Sequence, residues 1–348
     1  MEFGVFAEQM RRGANQSESL HEMLDLADAG EAWGLDVFWL AEMLVNPARS
    51  VLSAPLLVAS WIVGRTKRLR VGTAVQLLPL NHPLRVAGEV TTLDHLSQGR
   101  FDFGIGRSGA PRAYDALGVP YAESQDRFFE ALDIILKAWK GEPFSYEGKF
   151  YRFMDAAVAP RPYRSPHPPL RMAATTAETF PRVGTMGLPI FVGLRGMDIP
   201  ELIGHLRVYR EAWRAAGHPG DGDACLRIPV YAAPTEKAAR EEPQETITFY
   251  MRRQADLTRA PIGRAGTGSA ERRQSQAERL AGLSYEQILT TKVAFGTGPA
   301  LVDRFTELKE QLGVSGVATE LNPGGLLATE QEMRSLRILT HEVMPALR

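Results

Sequence analysis

The stretch LDHLSQGRFDFGIGR, from Leu93 to Arg107, decides how the chain is read. An amphipathic helical segment ends at the turn Ser97-Gln98-Gly99. A short β-type run from Arg100 to Ile105 follows and stops at Gly106-Arg107. An arginine just past a buried strand, with Gly106 before it and Ser108-Gly109 after it, suits an anion. Guanidinium offers a planar fork of donors to phosphate or carboxylate, and the glycines let backbone N–H groups approach. The alternative is an arginine that closes the strand with a surface salt bridge, and the residues alone leave both open.

The same punctuation recurs along the chain. Short apolar runs at Phe3–Phe6, Asp36–Ala41, Arg70–Leu77, Phe101–Ile105, Arg171–Ala174, Pro189–Gly193, Leu226–Ala232 and Val314–Leu321 each lead into a helical pattern. Nearly continuous apolar strands with helical crossovers predict a parallel sheet covered by helices. Eight such units fit a (β/α)8 TIM barrel, an α/β fold that typically forms one domain of about 250 residues or more. A doubly wound sheet is the alternative, because periodicity does not show closure. Residues 1–348 are read as a single domain with two breaks in the repeat. Residues 141–169 are rich in Pro, Tyr and Phe and read as an ordered extended insertion. Residues 261–276 are polar, basic and Gly-rich and read as a flexible loop.

The totals narrow the function classes. With 40 Lys+Arg against 41 Asp+Glu, the net charge is −1, so neither nucleic acid nor an anionic membrane is expected as a partner. The single cysteine, Cys225, excludes an intrachain disulfide and a Cys-rich zinc site. The seven histidines show no metal-ligand spacing, so no metal is expected. There is no P-loop, H-E-x-x-H, G-x-S-x-G or nicotinamide-type G-x-G-x-x-G. The opening MEFGVFAEQMRRG lacks a basic stretch followed by an apolar core. No run approaches the ~20 apolar residues of a spanning helix, so a soluble cytoplasmic protein is expected.

A (β/α)8 barrel builds its site at the C-terminal strand ends. That rule selects Ala41-Glu42-Met43-Leu44, Ala74-Val75-Gln76, Gly106-Arg107-Ser108, Thr175-Thr176, Gly193-Leu194-Arg195 and Glu320-Leu321-Asn322. Hydroxyls and free N–H groups in Thr175-Thr176-Ala177-Glu178-Thr179 can cap a helix or hold an anion. Met43 and Leu44 predict an apolar wall and a hydrophobic small-molecule substrate, with Tyr114 of the long fourth loop as a further lining residue. Glu42 is expected to pair with an arginine inside the barrel. His82, before Pro83 at a helix start, can simply cap that helix. Cys225 has no evident His or Asp partner and is read as non-catalytic.

With NHPLRVAGEVTTLDHL (residues 81–96) leading into it, the opening stretch resembles the bacterial luciferase-like flavin-dependent monooxygenase family. The resemblance covers nearly the whole chain. It implies a luciferase-like TIM barrel that uses reduced FMN, supplied by a separate flavin reductase, and oxygen in two-component monooxygenation. It implies Arg107, Thr176 and Thr179 as the clamp on the flavin phosphate, with Ser108 as a further cofactor-binding residue. Beneath the ring it implies a non-proline cis peptide between Ala74 and Val75. His82 and Glu42 become catalytic candidates, and residues 261–276 a mobile lid. A homodimer is implied through early helices such as 54–64. The departure is at Met43-Leu44, where the family often has His-His after the glutamate. The imidazole that titrates near neutral pH is therefore missing. Two alternatives follow: a deazaflavin-dependent hydride-transfer enzyme on the same fold, and a non-catalytic flavin-binding or dimer-partner protein.

Overall fold

The computed structural model describes residues 1–8, 13, 15–47, 49–265 and 269–348. Every apolar run named above is a strand. They are β1 (Glu2–Ala7), β2 (Val37–Leu40), β3 (Arg70–Thr73), β4 (Phe101–Gly106), β5 (Leu170–Ala173), β6 (Ile190–Gly193), β7 (Ala224–Ala232) and β8 (Gly316–Glu320). Each pairs in parallel with the next, and β8 pairs with β1. The sheet therefore closes into a (β/α)8 barrel, whereas a doubly wound sheet keeps two open edges.

Closure depends on side chains of very different size at neighbouring interior positions. Trp39 stands in register with Gly72, and its ring meets that of Phe191 edge-to-face at 4.9 Å. A Cβ on Gly104 would collide with the Thr73 carbonyl oxygen and lie 2.9 Å from the Phe191 ring. Glycine is thus required where β3 and β4 come together over the aromatic pair. Below the rings, a belt of ion pairs occupies the N-terminal end of the barrel. Arg70 pairs with Glu2 and with Asp102 (2.7 Å), Arg164 with Asp102 (3.1 Å), and Arg171 with Asp223 (2.7 Å).

Within residues 141–169, Phe144–Glu147 runs antiparallel to Arg152–Ala156. The segment ties back to the deciding stretch, because the backbone N–H of Arg164 donates to the fully buried Asp94 at 3.0 Å. Residues 261–276 differ from the expectation. Residues 270–276 open the helix Ala270–Ala281, capped by the Ser269 hydroxyl, and residues 266–268 lie outside the described residues. The helix escapes a search for periodicity because Ala277 and Leu280 are its only buried residues.

Arg100 holds the deciding stretch against the preceding unit. Its guanidinium donates to the carbonyls of Leu69 (2.8 Å), Val63 (3.0 Å) and Thr66 (3.1 Å) and to the Thr66 hydroxyl (3.1 Å). It thereby satisfies carbonyls at the end of the helix Pro55–Arg65 that have no partner within the helix. Arg100→Ala should lower the unfolding free energy by about 2–4 kcal/mol, because several partly buried carbonyls lose a charged donor. Urea denaturation of the variant measures this loss.

Candidate active site at the barrel mouth

The adjacent strands β4 and β5 deliver the expected anion-binding residues to one side of the mouth. Arg107, half-buried just past β4, donates from its guanidinium to the buried Ser124 hydroxyl at 2.9 Å. The Thr176 and Thr179 hydroxyls, just past β5, lie 2.9 Å apart. Ser108 adopts a left-handed φ of 66° and accepts the Ala110 N–H on its own hydroxyl at 3.1 Å. Glu178 also reaches this corner. Its carboxyl is held below the usual range by its own backbone N–H and the Thr176 hydroxyl. An incoming phosphate must displace that carboxylate to use the same donors.

Tyr114 corrects the sequence reading. It is completely buried, its hydroxyl donates to the Arg107 carbonyl, and its ring packs edge-on to Tyr121 at 5.1 Å. It supports the Arg107 loop and offers no surface to a substrate. His82 is exposed, makes no side-chain cap to its helix, and rests edge-to-face on Tyr151 at 5.4 Å. Asn322 ties its own turn together through both the N–H and the carbonyl of Leu327.

The peptide between Ala74 and Val75 is cis. Both residues pack with Met43 on the apolar interior of Phe6, Trp39, Ala41 and Phe191. Met43 thus adds an apolar side chain to that interior, while Leu44, in the turn that follows, is outside that group. A Cβ on Gly106 would strike the Val75 side chain, so this glycine lets β4 lie flat beneath the peptide. Next along the chain, the buried amide oxygen of Gln76 has no partner among the described residues. A heterocyclic N–H is the kind of donor it lacks.

The opposite side of the mouth is charged. Arg49 binds Glu8 with two nitrogens, one at 2.7 Å, and Arg227 reaches the same carboxylate at 3.3 Å. Arg227 also forms a fork on Glu320, with both contacts at 2.8 Å, and lies over the Phe6 ring. The Tyr250 hydroxyl donates to Glu320 at 3.0 Å. Burial alone would raise the Glu8 pKa, yet Arg49 and Arg227 hold it below its ordinary value. Sequence reasoning selected Glu320 by its strand end but passed over Glu8, Arg49 and Arg227. The available signal for Glu8 and Arg227 was a lone charge within or just past an apolar strand, and Arg49, in the loop after β2, carries no such signal.

The segment from residue 261 onward bears on this mouth from both sides. Arg264 pairs with Asp115 of the fourth loop at 2.6 Å, and Gln276 donates to the Gly196 carbonyl beyond β6. Among the described residues no cluster of His, Cys, Asp or Glu could hold a metal, and no helix is long and apolar enough to cross a membrane.

The model of the family "Luciferase-like monooxygenase" matches residues 1–316. The chain belongs to this family. The oxygenase component of a flavin-dependent trigonelline monooxygenase from Acinetobacter baylyi is 24% identical over 99% of the chain and 95% of its own length. The oxygenating constituent of 3,6-diketocamphane monooxygenase from Pseudomonas putida, solved with FMN, superposes with a TM-score of 0.83 at 22% identity, covering 99% of this chain and 98% of its own. An F420-dependent secondary alcohol dehydrogenase gives a TM-score of 0.76 at 17% identity, over 100% and 99% of the two chains. The uncharacterised Sinorhizobium fredii proteins y4wF and y4vJ are 35% and 32% identical over 53% and 55% of this chain, and the chain spans 54% and 55% of their length.

In this member of the family, Glu42 does not pair with an arginine. Buried at the end of β2, it accepts the Leu77 N–H at 2.6 Å and the Asn81 amide at 3.4 Å. Burial dominates and pushes its pKa up to about 7 from 4.5, although both donors pull the other way. The folded state therefore binds this proton more tightly than the unfolded chain, so its stabilising effect is lost as pH rises from 4.5 to 7. Glu42→Gln, neutral at every pH, should match the parent protein at the acid end of that window. Above pH 7 it should be more stable by up to about 3 kcal/mol. Denaturation across that range checks the sign.

Proposed function

We propose that this chain is the oxygenase of a two-component flavin monooxygenase, taking reduced FMN from a separate reductase and using oxygen to oxygenate a small molecule. The observation that carries the reading is the delivery of Arg107 and the Thr176–Thr179 hydroxyl pair to one corner of the mouth by neighbouring strands, in a chain of this family. Ser124 fixes the direction of the Arg107 guanidinium, and Tyr114 fixes its backbone. Bound reduced flavin would supply the reaction with oxygen, and the protein's part is to bind, orient and keep water out. Arg107, Ser108, Thr176 and Thr179 would hold the phosphate, with Ala74 and Val75 against the ring. Met43 shapes the apolar face, and the segment tied down by Arg264 and Gln276 acts as the cover.

Glu42 is assigned a positioning role in this scheme. Both of its oxygens are committed to the segment after Val75, so it sets the height of that segment. No histidine replaces the family's pair at Met43-Leu44, and His82, exposed on Tyr151, is not given that role.

Anaerobic titration with reduced FMN, followed by admission of oxygen, tests the reading through binding and the rate of flavin reoxidation. Arg107→Ala should weaken reduced-FMN binding by roughly 2–3 kcal/mol, the range of a charge-assisted contact; unchanged affinity would remove Arg107 from the site. Binding of reduced deazaflavin with anaerobic turnover would favour the hydride-transfer reading. Tight FMN binding with only peroxide formed, whatever substrate is offered, would favour a non-catalytic binder.

The homodimer expectation gains support from the helix Pro55–Arg65. Leu57 and Trp61, one turn apart on it, are 74% and 63% exposed, and apolar side chains of this size on one face favour burial against a partner. Trp61→Glu is expected to shift the chain toward monomer in size-exclusion chromatography with light scattering. A parent protein that elutes as monomer would end the dimer reading.

A further inference from the structure

The charged side of the mouth holds more arginines than its carboxylates can engage. Arg49, Arg195 and Arg227 gather around Glu8 and Glu320. Both carboxylates are fully engaged, Glu8 by Arg49 and Arg227, Glu320 by Arg227 and Tyr250. Arg195 lies in the bend two residues past Gly193, the last residue of β6, which stands in register with Arg227 of the ion-pair net. Its charge acts on both Glu8 and Tyr250. Arg195 is half-buried, and among the described residues it has no hydrogen bond or ion pair. A guanidinium beside carboxylates that are already taken is a donor fork open to an anion.

We propose that the substrate carries a carboxylate or an oxyanion of similar shape, that Arg195 receives this group, and that the apolar body lies along Met43, Ala74 and Val75. The proposal rests on the monooxygenase reading and replaces the purely hydrophobic substrate expected from Met43-Leu44 with an amphiphilic anion. An acid entering a closed site loses its hydration, which is favourable only where positive charge and donors already stand in place. The local excess of arginine supplies both. The flavin phosphate is a different anion in a different place, because Arg107 follows β4 and Arg195 follows β6, with β5 between them.

The test uses the full chain without flavin and matched probes of one shape. Benzoate is compared with benzamide, and hexanoate with hexanamide, by calorimetric titration supported by thermal shift. The acids should bind about tenfold or more tightly than their amides. Arg195→Gln should abolish that preference, and Arg195→Lys should keep part of it. Equal binding of acid and amide, no binding of either acid, or a preference that survives in Arg195→Gln overturns the proposal. Titration of Arg195→Gln with reduced FMN separates the two anion sites. Affinity equal to the parent's is expected, and a loss as large as that of Arg107→Ala assigns Arg195 to the phosphate and overturns it too. If the parent fails to bind FMN while the acid preference stands, the monooxygenase reading falls and the anion site remains.

Discussion

The contact on which the molecule depends is the edge-to-face packing of Trp39 on Phe191 inside the closed sheet. Eight strands enclose a space that side chains must fill, and here two aromatic rings from opposite walls fill its middle. Burying each ring contributes roughly 4–6 kcal/mol as an upper bound. They fit only because Gly72 and Gly104 present no side chain to them. The rings form the floor of everything above them. Phe6, Ala41 and the Ala74–Val75 peptide stand on that floor, and Met43 lies one level higher in the same wall.

Above the floor the mouth divides into unlike halves. One is small and apolar, bordered by the Arg107–Ser124 corner and the two threonines. The other is a net of arginines, carboxylates and a tyrosine drawn from the end of β1, the loop after β2, β7, β8 and the helix Gln244–Arg259. Burial on the apolar side keeps Glu42 partly protonated near neutrality. On the other side the arginines outweigh burial, so Glu8 stays ionised. The same residue type thus carries different charge on the two sides of one cleft because of what surrounds it.

The eight strands were legible because an apolar run between turn residues is a local signal, and the placement of Arg107, Thr176 and Thr179 past strand ends was legible because strand ends are also local. The Ala74–Val75 geometry was foreseen only through the family likeness. What escaped depends on distance along the chain. Arg227 meets Glu320 and Glu8 across 93 and 219 residues, and Glu42 finds Leu77 and Asn81 instead of an arginine. No pattern within one strand reports such partners. Tyr114 was misplaced for a related reason: an aromatic residue in a loop has two faces, and its hydroxyl bond to Arg107 turned it inward.

The ion-pair belt of Glu2, Arg70, Asp102 and Arg164 sits beneath aromatic rings that fill the barrel. Among the described residues that end of the vessel is therefore closed, and the way in is the mouth. Whatever lies deeper must arrive first and leave last, and a second molecule held nearer the rim blocks its exit. Order of binding is then a property of the architecture, set by depth rather than by relative affinity.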